Sequence, residues 1–187
     1  MTDTLAMLDQ AELFQLALNA SAAGDGASAL AYLKAAVGRV DATPAAHYLL
    51  GAEYAQLKLY DRAVDEMEAA LALDPALWTA RIQLALLYLA AEREDRAADT
   101  LRPLAEQGQD GALQRFGAGL LRLIDDDLEG ARELLREGIG RNAANPALNG
   151  DMQKIVDEIG ARLDDGGGAD EADAHIVLSA YAGNQAH

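Results

Sequence analysis

An internal repeat of 34 residues constrains the fold of this chain more than any other feature. An alanine recurs at this spacing four times, with no insertion, as Ala29, Ala63, Ala97 and Ala131. Twelve residues before each alanine stands a small residue: Ala17, Gly51, Ala85 or Gly119. Four residues after it stands a large apolar residue: Leu33, Met67, Leu101 or Leu135. Self-similarity at such a period is the signature of a repeat architecture, in which stacked units bury one continuous core.

The pattern within each repeat predicts a hairpin of two α-helices. The small residue lets the two helices approach closely, and the large apolar residue fills the space beside it. Turns between the helices are predicted at residues 24–26, 59–61, 93–95 and 125–127. We expect their aspartates to supply the N-caps of the second helices. Thr43-Pro44, Asp74-Pro75 and Asn145-Pro146 predict helix starts, because each is a capping residue followed by proline.

Pro103 departs from this pattern because it falls inside the predicted second helix of the third repeat. A proline there removes a backbone hydrogen bond, so we expect that helix to kink or to end early, near Gly108. No segment alternates apolar and polar residues as a strand would.

The repeat resembles the tetratricopeptide repeat (TPR). The second unit carries most of that family's signature residues, and its matches are Leu50, Gly51, Tyr54, Ala63, Met67, Ala70 and Pro75. His47 stands in place of the usual opening tryptophan, and the first and fourth units carry Ala20 and Arg122 where tyrosine is usual. The resemblance covers about residues 10–143. It implies an all-α fold, a right-handed α-solenoid of about four helical hairpins.

The remaining segments divide by composition. Residues 1–9 form a lead-in, and residues 144–163 contain one further helix whose apolar stripe predicts a cap over the last hairpin. Residues 164–174 form an acidic, glycine-rich linker, and residues 175–187 form an apolar tail. We expect the tail to dock on an apolar surface through Ile176, Val177, Leu178 and Tyr181. Packing on the nearest apolar surface without regulatory meaning remains an alternative.

The resemblance also implies that the first helix of each repeat lines a concave groove. The lining residues are then Phe14, Leu18, Tyr48, Ile82, Leu86, Leu89, Phe116, Leu120 and Leu123. Some members of the family hold a peptide carboxylate with Lys and Asn at such positions. This set contains neither, so that clamp is not expected, and an apolar peptide or helix is the better ligand. The alternative is that several of these residues are core.

Composition excludes several classes of function. The net charge is −16, which disfavours nucleic acid or an anionic membrane as the partner. The chain has no cysteine, and its three histidines, His47, His175 and His187, lack metal-ligand spacing. We expect no metal, no cofactor and no enzymatic activity. The N-terminus lacks a secretory signal and no segment is long enough to span a membrane, which predicts a cytoplasmic location. The excess of Arg over Lys, with abundant Ala, hints at a GC-rich bacterial genome.

These observations predict a protein–protein interaction scaffold that binds an apolar peptide or helix in its groove. Its own C-terminal segment is a possible gate for that groove. Two alternatives stay open. In one, the tail is exchanged between chains and builds a homodimer. In the other, the protein is a chaperone for secreted substrates.

Overall fold

The computed structural model of the protein describes residues 5–107 and 111–164. Within those ranges it contains nine α-helices and no strand. The all-α prediction is therefore confirmed for the described part of the chain. The helices are α1 (Gln10–Ala22), α2 (Gly26–Val37), α3 (Pro44–Gln56), α4 (Tyr60–Leu73), α5 (Trp78–Ala90), α6 (Glu94–Ala105), α7 (Ala112–Ile124), α8 (Leu128–Arg141) and α9 (Pro146–Asp164).

The chain divides into two compact units, of which the first ends at Ala80 and the second begins at Arg81. In the first unit α1 packs against α2, α2 against α3, and α3 against α4. In the second unit α6 packs against α7, α7 against α8, and α8 against α9. In each of these six pairs, helices that follow one another in the chain pack together.

The small residues of the repeat lie where the two helices of a hairpin meet. A Cβ atom on Gly51 of α3 would lie 3.1 Å from Cγ and Cε of Met67 in α4. The equivalent atom on Gly119 of α7 would lie 2.9 Å from Cγ and Cδ2 of Leu135 in α8. Both contacts are tighter than ordinary van der Waals packing, so a side chain at either glycine would require its neighbour in the second helix to shift. The four alanines that mark the repeat are fully buried.

Each hairpin turns through one residue in the left-handed backbone region. These residues are also 34 apart, with φ angles of +74° at Gly24, +59° at Lys58, +57° at Glu92 and +57° at Asp126. The predicted turns at 59–61 and 93–95 lie slightly too late in the chain, because α4 already begins at Tyr60 and α6 at Glu94. The residue after each left-handed residue is the N-cap of the second helix.

The aspartate caps are present in two of the four hairpins. Asp25 Oδ1 accepts a hydrogen bond from the Ser28 N–H at 3.0 Å, and Asp127 Oδ1 accepts one from the Gly130 N–H at 3.0 Å. In α4 and α6 the cap prediction is wrong. Their N-cap residues are Leu59 and Arg93, neither of which makes a side-chain cap bond.

Two of the three predicted proline starts are correct. Thr43 Oγ1 caps α3, and Asn145 Oδ1 caps α9 by accepting from the Leu148 N–H at 3.1 Å. The start at Pro75 is wrong, because α5 begins at Trp78. Asp74 forms a turn instead: its Oδ1 accepts from the Ala76 N–H at 2.9 Å and its carbonyl from the Leu77 N–H at 3.1 Å. These bonds divert the chain from helical geometry for three residues.

Pro103 lies in the last turn of α6, which ends two residues later at Ala105. The helix therefore ends before Gly108, which lies outside the described residues, and the early end fits the bond that proline removes. After α8 the chain enters α9 through a network of three asparagines. The amide of Asn142 is nearly buried and donates to Asn149 Oδ1 at 2.7 Å, while Asn149 Nδ2 donates to the Asn142 carbonyl at 2.8 Å.

Candidate functional site

The predicted groove residues occupy three equivalent places in the first helices of the hairpins, which we call the lining positions. They lie at i, i+4 and i+7 of each helix, so they share one helix face. Across the four repeats they are Phe14, Leu18 and Ser21; Tyr48, Ala52 and Ala55; Ile82, Leu86 and Leu89; and Phe116, Leu120 and Leu123. None of the twelve is a charged residue.

In the first unit the lining positions keep solvent-exposed surface. Leu18 is 38% exposed, and Phe14 and Tyr48 are partly exposed. Phe14 packs on one side against the core cluster formed by Leu13, Ala36 and Ala46. The neighbouring Ala52 is also partly exposed. Phe14 and Leu18 thus lie one turn apart on α1, and Tyr48 and Ala52 one turn apart on α3, each pair apolar and accessible to solvent.

In the second unit most of the same positions are buried. The exposed fraction is 0% for Ile82, Leu86, Phe116 and Leu120, and Leu89 is also buried. Of the six predicted residues in this unit, Leu123 is the one that is partly exposed. The ring of Phe116 lies over Gly138 of α8: a Cβ on that glycine would lie 2.5 Å from Cδ1 and Cε1 of the ring. The predicted set therefore divides into an open part in the first unit and a buried part in the second.

Sequence reasoning missed a row of polar contacts at the place of the family's opening tryptophan. His47 Nδ1 lies 2.7 Å from Glu66 Oε2, between α3 and α4. The equivalent Arg81 donates to the Thr100 carbonyl at 3.1 Å, between α5 and α6. Arg115 Nη1 lies 3.1 Å from Glu137 Oε2, between α7 and α8. Each contact joins the two helices of one hairpin, and the 34-residue spacing of 47, 81 and 115 is the signal that could have found it.

Glu53 was also missed by sequence reasoning. Its side chain is only 9% exposed, and Oε1 accepts a hydrogen bond from the Ser21 hydroxyl at 2.9 Å. A nearly buried carboxylate is stable only when hydrogen bonds satisfy it. The contact joins α3 of the second hairpin to the end of α1 in the first. It links successive repeats, and it occupies Ser21, the third lining position of the first hairpin.

The predicted docking residues Ile176, Val177, Leu178 and Tyr181 lie outside the described residues, as do His175, His187 and most of the linker. Among residues 5–107 and 111–164, no group of three or more metal-binding side chains is close enough to hold a metal ion. No helix within these ranges is both long and apolar enough to cross a bilayer.

Comparison with solved structures identifies the fold. MamA from Desulfovibrio magneticus RS-1, from its residue 41 to its end, matches 96% of this chain over 99% of its own length, with 21% identity and a TM-score of 0.60. A tetratricopeptide repeat protein from Parabacteroides merdae ATCC 43184 matches 94% over 72% of its own length, with 16% identity and a TM-score of 0.61.

YrrB, a TPR protein described as having an unusual peptide-binding site, matches 92% of this chain over 84% of its own length, with 18% identity and a TM-score of 0.58. No family model and no curated protein sequence matches the chain. The resemblance read from the 34-residue spacing is thus confirmed at the level of structure: the chain has the tetratricopeptide-repeat fold.

Proposed function

We propose that this protein is a protein–protein interaction scaffold that binds an apolar peptide or helix on its lining positions. The observation that carries the proposal is the uncharged, partly exposed surface of Phe14, Leu18 and Tyr48 in the first unit. Burying one leucine side chain in an interface contributes about 1.5–3 kcal/mol. A few such contacts suffice for a specific, reversible complex.

The charge of the first unit favours partners with a basic flank. Residues 5–80 contain ten Asp and Glu residues against four Lys and Arg residues, a net of −6. None of these charged residues stands at a lining position, although Glu53 accepts a hydrogen bond from Ser21. Attraction between these acidic residues and basic residues of a partner raises the association rate and selects against acidic partners.

The peptide-binding site named for YrrB supports the proposal by analogy of fold, since that protein is an example of this fold with a peptide ligand. The remaining elements of the proposal are a cytoplasmic location and regulation by the chain's own C-terminal segment. Residues 176–181 are apolar and compete with an external ligand for lining positions.

The test is a selection of displayed random peptides on the full-length protein, followed by affinity measurement on the variant Leu18→Asp. We expect enriched peptides to share an apolar core with Lys or Arg beside it. Leu18→Asp should weaken their binding about tenfold or more, since it places a charge in the apolar contact.

Leu57→Asp is the matched control, because Leu57 is 55% exposed but lies at the α3–α4 turn and away from the lining positions. Its binding should stay within about twofold of the original. A selection without enriched peptides, or equal losses in the two variants, would refute the proposed function.

A further inference from the structure

One acidic residue of the first unit departs from the repeat pattern. Glu53 of α3 stands where the third and fourth repeats have Leu87 and Leu121. Leu87 is 2% exposed, so the position serves packing in the third repeat. Glu53 is 9% exposed and therefore brings a carboxyl group to a position that an apolar side chain fills elsewhere. Such a substitution costs stability, and departures of this kind are expected where a residue has a function.

The protein satisfies only one of the two carboxyl oxygens of Glu53. Oε1 accepts a hydrogen bond from the Ser21 hydroxyl at 2.9 Å. Oε2 has no hydrogen-bond partner and no ion pair among residues 5–107 and 111–164, although it keeps contact with solvent. An oxygen that has lost most of its hydration and has gained no donor is a strong acceptor for a group that arrives from outside.

The space beside Oε2 is left open by a second departure from the repeat. Oε2 lies 3.7 Å from the place that a Cβ atom on Gly26, the first residue of α2, would take. The equivalents of Gly26 in the other repeats all have large side chains: Tyr60, Glu94 and Leu128. Gly26 and Ser21 are both exposed, so the carboxyl group of Glu53 lies in a recess with solvent at its edges.

The recess adjoins the apolar lining positions of the first unit. Ser21 is the third lining position of α1 and follows Leu18, which is 38% exposed, by three residues. The two side chains therefore share a helix face and lie about 4.5 Å apart along the helix axis. A peptide residue that contacts Leu18 thus brings its neighbours in the peptide close to Glu53.

We propose that Glu53 is a specificity-determining residue that binds the ammonium group of a ligand lysine through Oε2. This rests on the proposed function, because the lysine belongs to the same peptide whose apolar residue contacts Leu18. Since Oε1 is held by Ser21, a compact ammonium group fits the remaining oxygen better than the two-pronged guanidinium group of arginine. Residues of an extended peptide are about 3.3 Å apart, so this lysine lies within about two residues of the apolar one.

Recognition of the peptide then has two parts. The apolar contact with Phe14, Leu18 and Tyr48 supplies affinity for any apolar segment. The carboxyl group of Glu53 selects among such segments, because a peptide without a lysine at the right distance covers the recess and leaves Oε2 without a donor.

The test is the selection of displayed random peptides, carried out in parallel on the natural full-length protein and on Glu53→Gln. The substitution keeps the size of the side chain and an oxygen that accepts from Ser21, but it removes the charge. We expect lysine to be enriched beside the apolar residue on the natural protein and not on Glu53→Gln. Asp65→Asn is the matched control, because it removes one acid from an exposed place on α4, and it should leave the enrichment unchanged.

Affinity measurements on one enriched peptide then separate direct contact from general attraction. The peptide is synthesised with lysine, with norleucine or with arginine at the selected position. Glu53→Gln should weaken binding of the lysine peptide about tenfold and of the norleucine peptide less than about twofold. The arginine peptide should bind the natural protein about threefold more weakly than the lysine peptide. Ser21→Ala should remove that preference, because it frees Oε1 for the second prong of the guanidinium group.

Gly26→Leu is a second variant, which keeps the carboxyl group and fills the recess with the residue of the fourth repeat. It should lose the lysine enrichment as Glu53→Gln does. Enrichment of apolar peptides without lysine, or lysine enrichment that persists in either variant, would overturn this inference and leave the proposed function standing. Equal binding of the arginine and lysine peptides would refute the assignment to an ammonium group. A selection without any enriched peptide would instead refute the proposed function itself.

Discussion

The second hairpin (α3–α4) and the fourth (α7–α8) follow the same 34-residue register but close their turns with different chemistry. In the second, Tyr54 is 6% exposed, and the cations of Lys34 and Arg62 each lie 5.8 Å from its ring centroid. In the fourth, the tyrosine place holds Arg122, whose Nη1 donates to Asp127 Oδ2 at 2.8 Å. Asp127 also caps α8.

The other two hairpins follow the same division. The third resembles the second, with Tyr88 buried and the Arg96 guanidinium 4.8 Å from its ring centroid. The first resembles the fourth, with an aspartate cap at Asp25 and Ala20 in place of the tyrosine. A buried aromatic under a cation and an exposed carboxylate cap are therefore alternative ways of closing one backbone turn. In the turns closed by a buried tyrosine, one side chain provides most of the stabilisation. In the turns closed by an aspartate, several exposed hydrogen bonds share it.

The largest difference in stability between the two hairpins should come from truncating Tyr54 in the second and its repeat equivalent, Arg122, in the fourth. Tyr54→Ala removes a buried ring and should lower the free energy of unfolding by about 3 kcal/mol or more. Arg122→Ala breaks a solvent-exposed ion pair and should cost less than about 1 kcal/mol. Urea denaturation of both variants measures the difference. If both variants lose a similar amount of stability, the buried tyrosine and the exposed ion pair do not stabilise their turns in different ways.

The next effect concerns the close contact of Gly138 with Phe116 in the fourth hairpin. Gly138→Ala places a Cβ at 2.5 Å from the Phe116 ring and should destabilise by about 1–2 kcal/mol, because the ring must move in a packed core. Gly140→Ala in the same helix meets no atom within 4 Å and should stabilise by about 0.5–1 kcal/mol through helix propensity alone. Thermal unfolding of the pair separates packing from propensity. A stabilising Gly138→Ala would refute the contact.

A smaller effect should follow from exchanging the caps. Leu59 has φ −89° and ψ 61°, close to the φ −82° and ψ 75° of Asp127. Leu59→Asp should therefore cap α4 as Asp127 caps α8, and should stabilise by about 0.5–1 kcal/mol. The reverse change, Asp127→Ala, should lower Tm. If Leu59→Asp does not raise the free energy of unfolding, an aspartate cap like that of the fourth hairpin does not form in the second.

The cap exchange also has a pH signature. The Gly130 N–H and then the Arg122 guanidinium hold the pKa of Asp127 below its usual range. Its contribution to stability is therefore complete above the pKa of an unfolded aspartate and is lost as pH falls through the lower folded value. The Tm difference between the natural protein and Asp127→Ala should be largest near neutral pH and should shrink below about pH 4. A difference that grows on acidification would contradict this origin.

The smallest effect should come from the left-handed residues. Lys58→Gly and Asp126→Gly relieve the steric cost of a positive φ but add freedom to the unfolded chain, so each should gain only about 0.5 kcal/mol. Gly24→Ala should lose about 0.5 kcal/mol, because the steric cost of a positive φ is partly offset by the lower entropy of the unfolded chain. Chemical denaturation of the three variants checks the signs. A gain from Gly24→Ala would contradict the backbone angle at the first turn.

The hairpins were predictable because their signal is repeated. Four alanines at a constant spacing, with small and large partners at fixed offsets, leave one arrangement in which Gly51 meets Met67 and Gly119 meets Leu135. The helix ends were less predictable, since they depend on local competition. Asp74 looks like an N-cap before proline, yet its side chain and carbonyl form a turn that delays α5 to Trp78.

For the candidate site, the sequence predicts which residues share a helix face but not how exposed they are. Sequence spacing identifies which residues share the lining face, but it does not distinguish Leu18, which is open, from Leu86, which is buried. Both are leucines in equivalent places, and the difference depends on what lies over them. The contacts of His47 and Arg81 were missed for another reason. A polar residue at the place of the usual tryptophan is easily read as a loss of the repeat signature until its partner in the second helix is known.

The four left-handed turns also bear on how such a chain can grow or be rebuilt. Each hairpin reverses direction through one residue of fixed backbone geometry, so the joint is the same whether the residue is Gly, Lys, Glu or Asp. A cut and rejoining at two such residues removes or adds a whole 34-residue block and leaves the joint unchanged. Duplication, deletion and shuffling of modules therefore meet the least resistance at Gly24, Lys58, Glu92 and Asp126, and chimeras are best designed with their crossovers there.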